Sequence, residues 1–223
     1  PSHVFARRFL ELSHLQYCSL GEIGETTENG DTATVKVTLN NSLLAKSFPV
    51  ALALKKTPND TWKVVKIDNL PQLLNAMQKA QEEKLVVLNQ PLQAKINQEI
   101  AIVSSSLEIK TKESSRLTTA LFYYPVVNFR AEKTIGSFMG QLQVLDKNGK
   151  VLYGQKYVET GPFSPKAQQP FALQWSLNPG QAAEKALIDT KGEGLTVKEN
   201  ILGVIFTDGT SVKLLESLPE INK

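Results

Sequence analysis

Three dipeptides, Asn29-Gly30, Asn148-Gly149 and Asp208-Gly209, stand between runs in which apolar and polar residues alternate. They constrain the fold more than any other feature of the chain. Glycine reaches positive φ without steric cost and Asn or Asp tolerates it, so such pairs reverse a strand within two or three residues. A chain built this way folds largely into antiparallel hairpins.

The first hairpin opens a longer pattern. Val35, Val37 and Leu39 alternate with Thr34, Lys36 and Thr38, and the runs FPVALALKK and TWKVVKID follow on either side of Thr57-Pro58-Asn59-Asp60. Residues 18–69 therefore predict a four-stranded antiparallel meander. Before it, Phe5, Phe9 and Leu12 recur at helical spacing over residues 3–16, with Ser2 placed to cap. After it, Leu70, Leu73, Leu74, Met77 and Ala80 form one stripe behind Pro71, with Asp68 or Asn69 as cap. The polar stretch NQPLQAKINQ, 89–98, is expected to be a linker.

From residue 99 the periodicity is two. Strands are expected at 100–111, 117–130, 137–146, 150–159, 170–177, 200–207 and 210–216, with turns at Gly161-Pro162 and Pro179-Gly180 among others. ILGVIF, 201–206, is apolar at every alternating position and predicts a central strand covered on both faces. The segment AEKALIDTKGEGLTVKEN reads as a short helix followed by loop. Seven short strands predict a β-sandwich at 99–223, preceded by an α+β domain at 1–88.

Catalytic signatures are sparse. Asp146, Asn148 and Gly149 resemble the start of a calcium loop, but twelve-residue spacing from Asp146 reaches Tyr157 where a bidentate Glu is required, and position six is Val151. A hairpin is the better reading. The histidines are His3 and His14, and Cys18 follows His14 by four; two neighbouring ligands do not close a zinc site, and no third group orients a Cys–His pair. No Gly-x-Ser-x-Gly elbow, P-loop or Gly-x-Gly-x-x-Gly is present. Glu82-Glu83 lies on a charged helix end and is expected in solvent. No metal, cofactor or catalytic residue is assigned, and an enzyme is not expected.

Aromatic residues are expected in the core, Trp62 against the helix near Leu73, Leu74 or Met77, and Trp175 between sheets. Of Tyr123 and Tyr124 one must point outward, which leaves room for a groove. Basic and acidic residues number 10 and 9 up to residue 90 and 15 and 13 beyond it, so no basic arm tracks a phosphate backbone and nucleic acid is not an expected partner. The single cysteine excludes an internal disulfide. The sequence starts without Met and almost within the helical pattern, which reads as a fragment or processed chain.

The run GDTATVKVTL, then TWKVVKIDNLPQLL, resembles bacterial domains of unknown function with a cystatin-like or nuclear-transport-factor-like curved sheet. GQLQVLDKNGKVL, GPFSPKAQQPF and GVIFTDGTSV resemble FxLYD-type immunoglobulin-like envelope domains, with Lys166 after Pro165 where glycine is usual. These resemblances imply a non-enzymatic binding or scaffolding module of a bacterial membrane-anchored envelope protein, on the periplasmic or extracytoplasmic side. A protein partner would be expected, with the membrane reached only through a segment outside this chain. The alternative is a small-ligand-binding protein using the concave N-terminal sheet, with Thr34, Lys36 and Thr38 on one face.

Overall fold

The computed structural model describes residues 15–112 and 118–219. The expected N-terminal stripe of Phe5, Phe9 and Leu12, its Ser2 cap and both histidines lie outside the described residues. The chain divides into two compact units. Unit 1 comprises residues up to Leu88 and those from Leu215 onward; unit 2 is Asn89–Leu214.

In unit 1 a single 3-10 turn, Leu15–Tyr17, leads into β1 (Cys18–Asn29), β2 (Thr32–Asn41), β3 (Lys46–Lys56) and β4 (Trp62–Ile67). They pair antiparallel in chain order, the meander that the short turns between the runs predict. Helix α1 (Leu70–Glu99) follows. The register Val35↔Leu52, Val37↔Val50 and Leu39↔Phe48 gathers the apolar positions on one face. Leu73, Met77, Ala80 and Leu218 share the buried cluster formed there. Each fully buried aliphatic side chain of this kind contributes roughly 1.5–3 kcal/mol. Two side-chain amides complete the unit. Asn41, only 2% exposed, accepts the Leu44 N–H at 2.8 Å and donates to Cys18 Sγ at 3.3 Å. Asn69 does not cap α1 with its side chain: it accepts the Ala51 N–H at 2.9 Å and donates to the Pro49 carbonyl at 3.0 Å, prolonging the ladder where β4 has ended.

The turns show why these dipeptides work. Between β1 and β2 the central pair is Gly30-Asp31, and only Gly30 has positive φ (61°), the type II′ pattern in place of the I′ turn centred on Asn-Gly. Asp146–Lys150 and Phe206–Thr210 are longer reversals closed by Gly149 (φ 79°) and Gly209 (φ 85°). Thr57–Thr61 closes with the same backbone pairing, with Asp60 (φ 60°) at the position glycine takes elsewhere.

Unit 2 carries two further antiparallel sheets. One contains β5 (Ile100–Lys112), β6 (Thr118–Phe129), β9 (Gln168–Pro170) and β10 (Leu173–Leu177), with β9 and β10 both on β6. The other has order β12-β11-β7-β8, from β7 (Ile135–Leu145), β8 (Val151–Phe163), β11 (Thr196–Phe206) and β12 (Ser211–Lys213). Helix α2 (Ala182–Asp189) precedes β11. Pro125 sits inside the central strand β6 because its carbonyl accepts the Phe171 N–H at 2.9 Å. N–H and C=O of one strand residue point the same way, so its missing donor faces the gap between β9 and β10, not β5.

A single buried cluster serves both sheets. Phe129, Phe138, Phe163 and Phe171 pack as one group, the Phe129–Phe163 pair stacked at 4.6 Å. Tyr123, Tyr153, Tyr157 and Trp175 form a second. Tyr157 lies across the cross-strand partner Gly140, where a Cβ would clash with the phenol end of the ring.

Several expectations are corrected. The cystatin-like curved sheet and the immunoglobulin-like β-sandwich are not what the structure shows: the described residues form three separate antiparallel sheets and two helices, and among them no sheet is closed or curled. Strand count and turn spacing are common to many antiparallel folds, and local alternation carries no information on which strands pair. Residues 89–98 are helical, continuing α1 through Pro91. Pro91 cannot donate to the Val87 carbonyl, but Val87 is 61% exposed, so water reaches that group. Ile96 and Ile100 are fully buried in the unit 2 cluster, and Arg130 Nη1 donates to the Asn97 carbonyl at 3.0 Å near the helix end. Gly161-Pro162 lies within β8, and the reversal follows it at Lys166 (φ 56°). Strand β11 is central, but Ile205 is 36% exposed; a bulge between Ile201 and Gly203 turns both Ile201 and Val204 inward. Trp62 is half-buried outside the core, under Lys56 Nζ at 5.7 Å. Among the described residues no helix is long and apolar enough to cross a membrane.

Candidate functional site

Asp146 shows how one tempting site dissolves. Its Oδ1 accepts the N–H groups of Asn148 (2.8 Å) and Lys150 (2.9 Å), so the carboxylate organises its own hairpin. Among the described residues no group of three or more His, Cys, Asp or Glu side chains could hold a metal ion. Cys18 is half-buried and His14 lies outside the described residues.

Among the described residues, three concavities stand out. In unit 1, a trough of about 370 Å³ is lined by Lys36, Thr38, Ala51 and Asn69 among others. Lys36, Thr34 and Thr38 do share a face, the one opposite the helix. Lys36 Nζ is already held by Glu25 Oε2 at 2.6 Å, which pulls the Glu25 carboxyl below its usual range, and the Asn69 amide is spent on β3. In unit 2, a depression of about 510 Å³ runs beside Ser104, Ser106 and Tyr124. Tyr123 points inward and Tyr124 outward, where it stacks on Phe122 at 6.3 Å. The depression's lining holds no charged side chain.

The third, a cleft of about 490 Å³, combines more kinds of recognition group. It lies where β8, β10 and the start of α2 meet, bounded by Tyr153, Gln155, Trp175, Ser176, Gln181 and Glu184. Strand alternation sends Trp175 toward the core, but β10 is an edge strand, so the ring stays half-buried. Tyr153 meets it at 6.2 Å with the planes inclined by 45°. Gln181 immediately precedes α2, and its side chain makes no capping bond. Glu184, in the first turn of α2, accepts the Asn178 N–H through Oε2 at 2.6 Å. A carboxylate is favoured there by the positive end of the helix dipole. Burial, then the charge of Glu184, pushes the Tyr153 phenol above its usual range and keeps it a donor.

Below the cleft the aromatic group turns polar. Tyr123 Oη donates to Glu199 Oε2. Tyr157 Oη is buried without a hydrogen bond of standard geometry. Burial first, and then the bond to Glu199, holds the Tyr123 phenol far above its ordinary value; burial and the Glu199 charge do the same to Tyr157. Both phenols therefore stay protonated at neutral pH.

Of the cleft residues, the sequence drew attention only to Trp175, as core. Tyr153 and Gln155 are successive same-face positions of a strand, a spacing of two that was available. Glu184 fell in the segment with the weakest pattern. No family model, no curated protein and no solved structure matches the chain. The cystatin-like and FxLYD-type resemblances are therefore without support from relatives as well as from the fold.

Proposed function

We propose that the chain is a non-enzymatic binding module that holds a small ligand in the cleft beside α2. The observation that carries this reading is the convergence of two inclined aromatic faces, two amide side chains and one carboxylate on a concavity of about 490 Å³. Ligand sites are concave, partly aromatic, and oriented by a few polar groups of this kind. The rings supply area at low entropic cost, and the amides and carboxylate select orientation. The trough around Lys36 and Thr38 supports the reading less well: its cation is held by Glu25 and both ends of its Asn69 amide are used, whereas of the two cleft amides only Gln155 Nε2 is engaged among the described residues, on the Lys156 carbonyl at 2.7 Å.

Titration of the 15N-labelled chain with a mixed small-fragment library tests it. Saturable shifts should gather at the Trp175 indole N–H and the Gln155 and Gln181 amides, and should vanish in Trp175→Ala. Shifts gathering instead at Lys36, Thr38 and Ala51 would move the site to unit 1. No saturable shift anywhere would leave only a scaffolding role through protein surfaces.

A further inference from the structure

We propose that the cleft takes a small organic cation, an alkylated ammonium or a guanidinium, held against the faces of Tyr153 and Trp175 with the Glu184 carboxylate as its counter-charge. This rests on the cleft being the binding site and adds the chemical class of the ligand. The lining holds one carboxylate and no Lys, Arg or His. Lys156 and Lys185, each adjacent in sequence to a lining residue, do not line it. An anion would meet Glu184 with nothing to neutralise either charge. A purely apolar ligand would bury the Glu184 charge with only the Asn178 N–H against it and leave the Gln181 amide unpaired, a costly arrangement. A cation is complementary to both features, because aromatic faces carry the negative lobe of the ring quadrupole.

Geometry narrows this further. The ring centroids lie 6.2 Å apart and the planes are inclined by 45°, an open angle and not a closed stack. A cation–π contact works within about 6 Å of a centroid, so one cationic group in the angle can address both rings. The Asn178 N–H fixes Glu184 Oε2 and leaves Oε1 available for a ligand.

The rest of the protein supplies an internal comparison. Lys56 lies over Trp62 at 5.7 Å, Lys110 over Phe122 at 5.3 Å and Lys133 over Phe206 at 5.8 Å. Those rings are supplied with a cation by a neighbouring strand or loop. Among the described residues no cation covers Tyr153 or Trp175, although both are half-buried and border an open cleft.

The test uses the intact chain and three probes: choline chloride, its uncharged isostere 3,3-dimethylbutan-1-ol, and N-acetyl-arginine N-methylamide, all at matched ionic strength. The readout is the Trp175 indole and the Gln155 and Gln181 amide resonances. At least one cationic probe should bind about tenfold or more tightly than the isostere, and Glu184→Gln should weaken it about fivefold or more, with spectral dispersion confirming the fold. Binding of choline alone assigns the cation to a small quaternary ammonium; binding of the arginine derivative alone assigns it to a basic side chain. Equal binding of the isostere, or unchanged binding in Glu184→Gln, overturns the cation and leaves the cleft as a binding site. If cationic probes give no shift there while uncharged fragments do, the result is the same. If no probe or fragment binds the cleft, both readings fall.

Discussion

Replacing Gly140 by alanine adds a single methyl group at a place where the fold has no room for it. The Cβ would clash with the phenol end of Tyr157, whose Cζ and Oη are its nearest neighbours and whose Cε2 would lie 2.7 Å away. The ring cannot step aside freely: Tyr157 is 7% exposed and meets Tyr123 at 6.3 Å, Phe138 at 6.4 Å and Trp175 at 6.2 Å. Each such aromatic contact is worth about 0.5–1.5 kcal/mol, and overpacking a filled core costs about 1–3 kcal/mol. Against this, alanine is better than glycine in a strand by roughly 0.5–1 kcal/mol. Gly140→Ala should therefore destabilise unit 2 by about 2–4 kcal/mol. In a Tyr157→Ala background the obstacle is gone, and the same substitution should be neutral or stabilising by up to about 1 kcal/mol. The chain has two tryptophans, Trp62 in unit 1 and Trp175 in unit 2. Urea unfolding followed by fluorescence in a Trp62→Phe background thus reports unit 2 alone, with an unchanged m-value as the check on comparability. An equal cost of Gly140→Ala with and without the Tyr157 ring would refute the reasoning.

Tyr157→Phe removes a buried hydroxyl without a well-formed bond and should stabilise unit 2 by about 1 kcal/mol; a loss in the same urea assay would mean that the hydroxyl has a partner. Trp62→Ala should cost no more than about 1 kcal/mol, set by its exposed contact with Lys56, and a cost of 3 kcal/mol or more would return Trp62 to the core. Lys166→Gly should raise stability by about 1 kcal/mol by relieving a left-handed residue, which its solvent-exposed pair with Glu132 does not offset; an unchanged urea midpoint would count against strain there. The bond from Lys133, then those from Thr210, hold the Asp208 carboxyl well below the carboxylate range. Its stabilisation is therefore complete above the unfolded value near pH 4 and lost as pH falls toward the folded value, so Asp208→Asn should destabilise at pH 7 and converge on the parent protein in strong acid. Parallel pH-stability curves for the two would contradict this.

The strands were legible because a half-buried sheet writes its period into the chain, and β5, β6 and β7 lie within a few residues of where alternation places them. Their partners were not, since pairing is a property of the assembled core. Pro91 and a run of amides disguised the end of α1, although Leu88, Leu92 and Ile96 keep the four-residue spacing of one helix face. Trp62 was misplaced because an aromatic residue at a strand start looks the same whether a helix or solvent lies above it. Lys166 is the converse case: its departure from glycine was visible in the sequence, and the backbone there is left-handed as glycine would allow. The cleft could not be read in advance. Trp175 points inward as expected, and only the edge position of β10 and the arrival of α2 leave part of its ring open.

Leu218 belongs to the buried cluster of unit 1, yet it is synthesised after the whole of unit 2. Topologically, unit 2 is an insertion: the chain leaves unit 1 at Leu88 and rejoins it at Leu215. On a ribosome, the contiguous residues Asn89–Leu214 can complete their core while the earlier unit still waits for Leu218. The usual order, in which the N-terminal domain matures first, is reversed for the final packing step. A nascent chain arrested before Leu215 would thus present a finished insert joined to an unfinished host, with the apolar seat of Leu218 open.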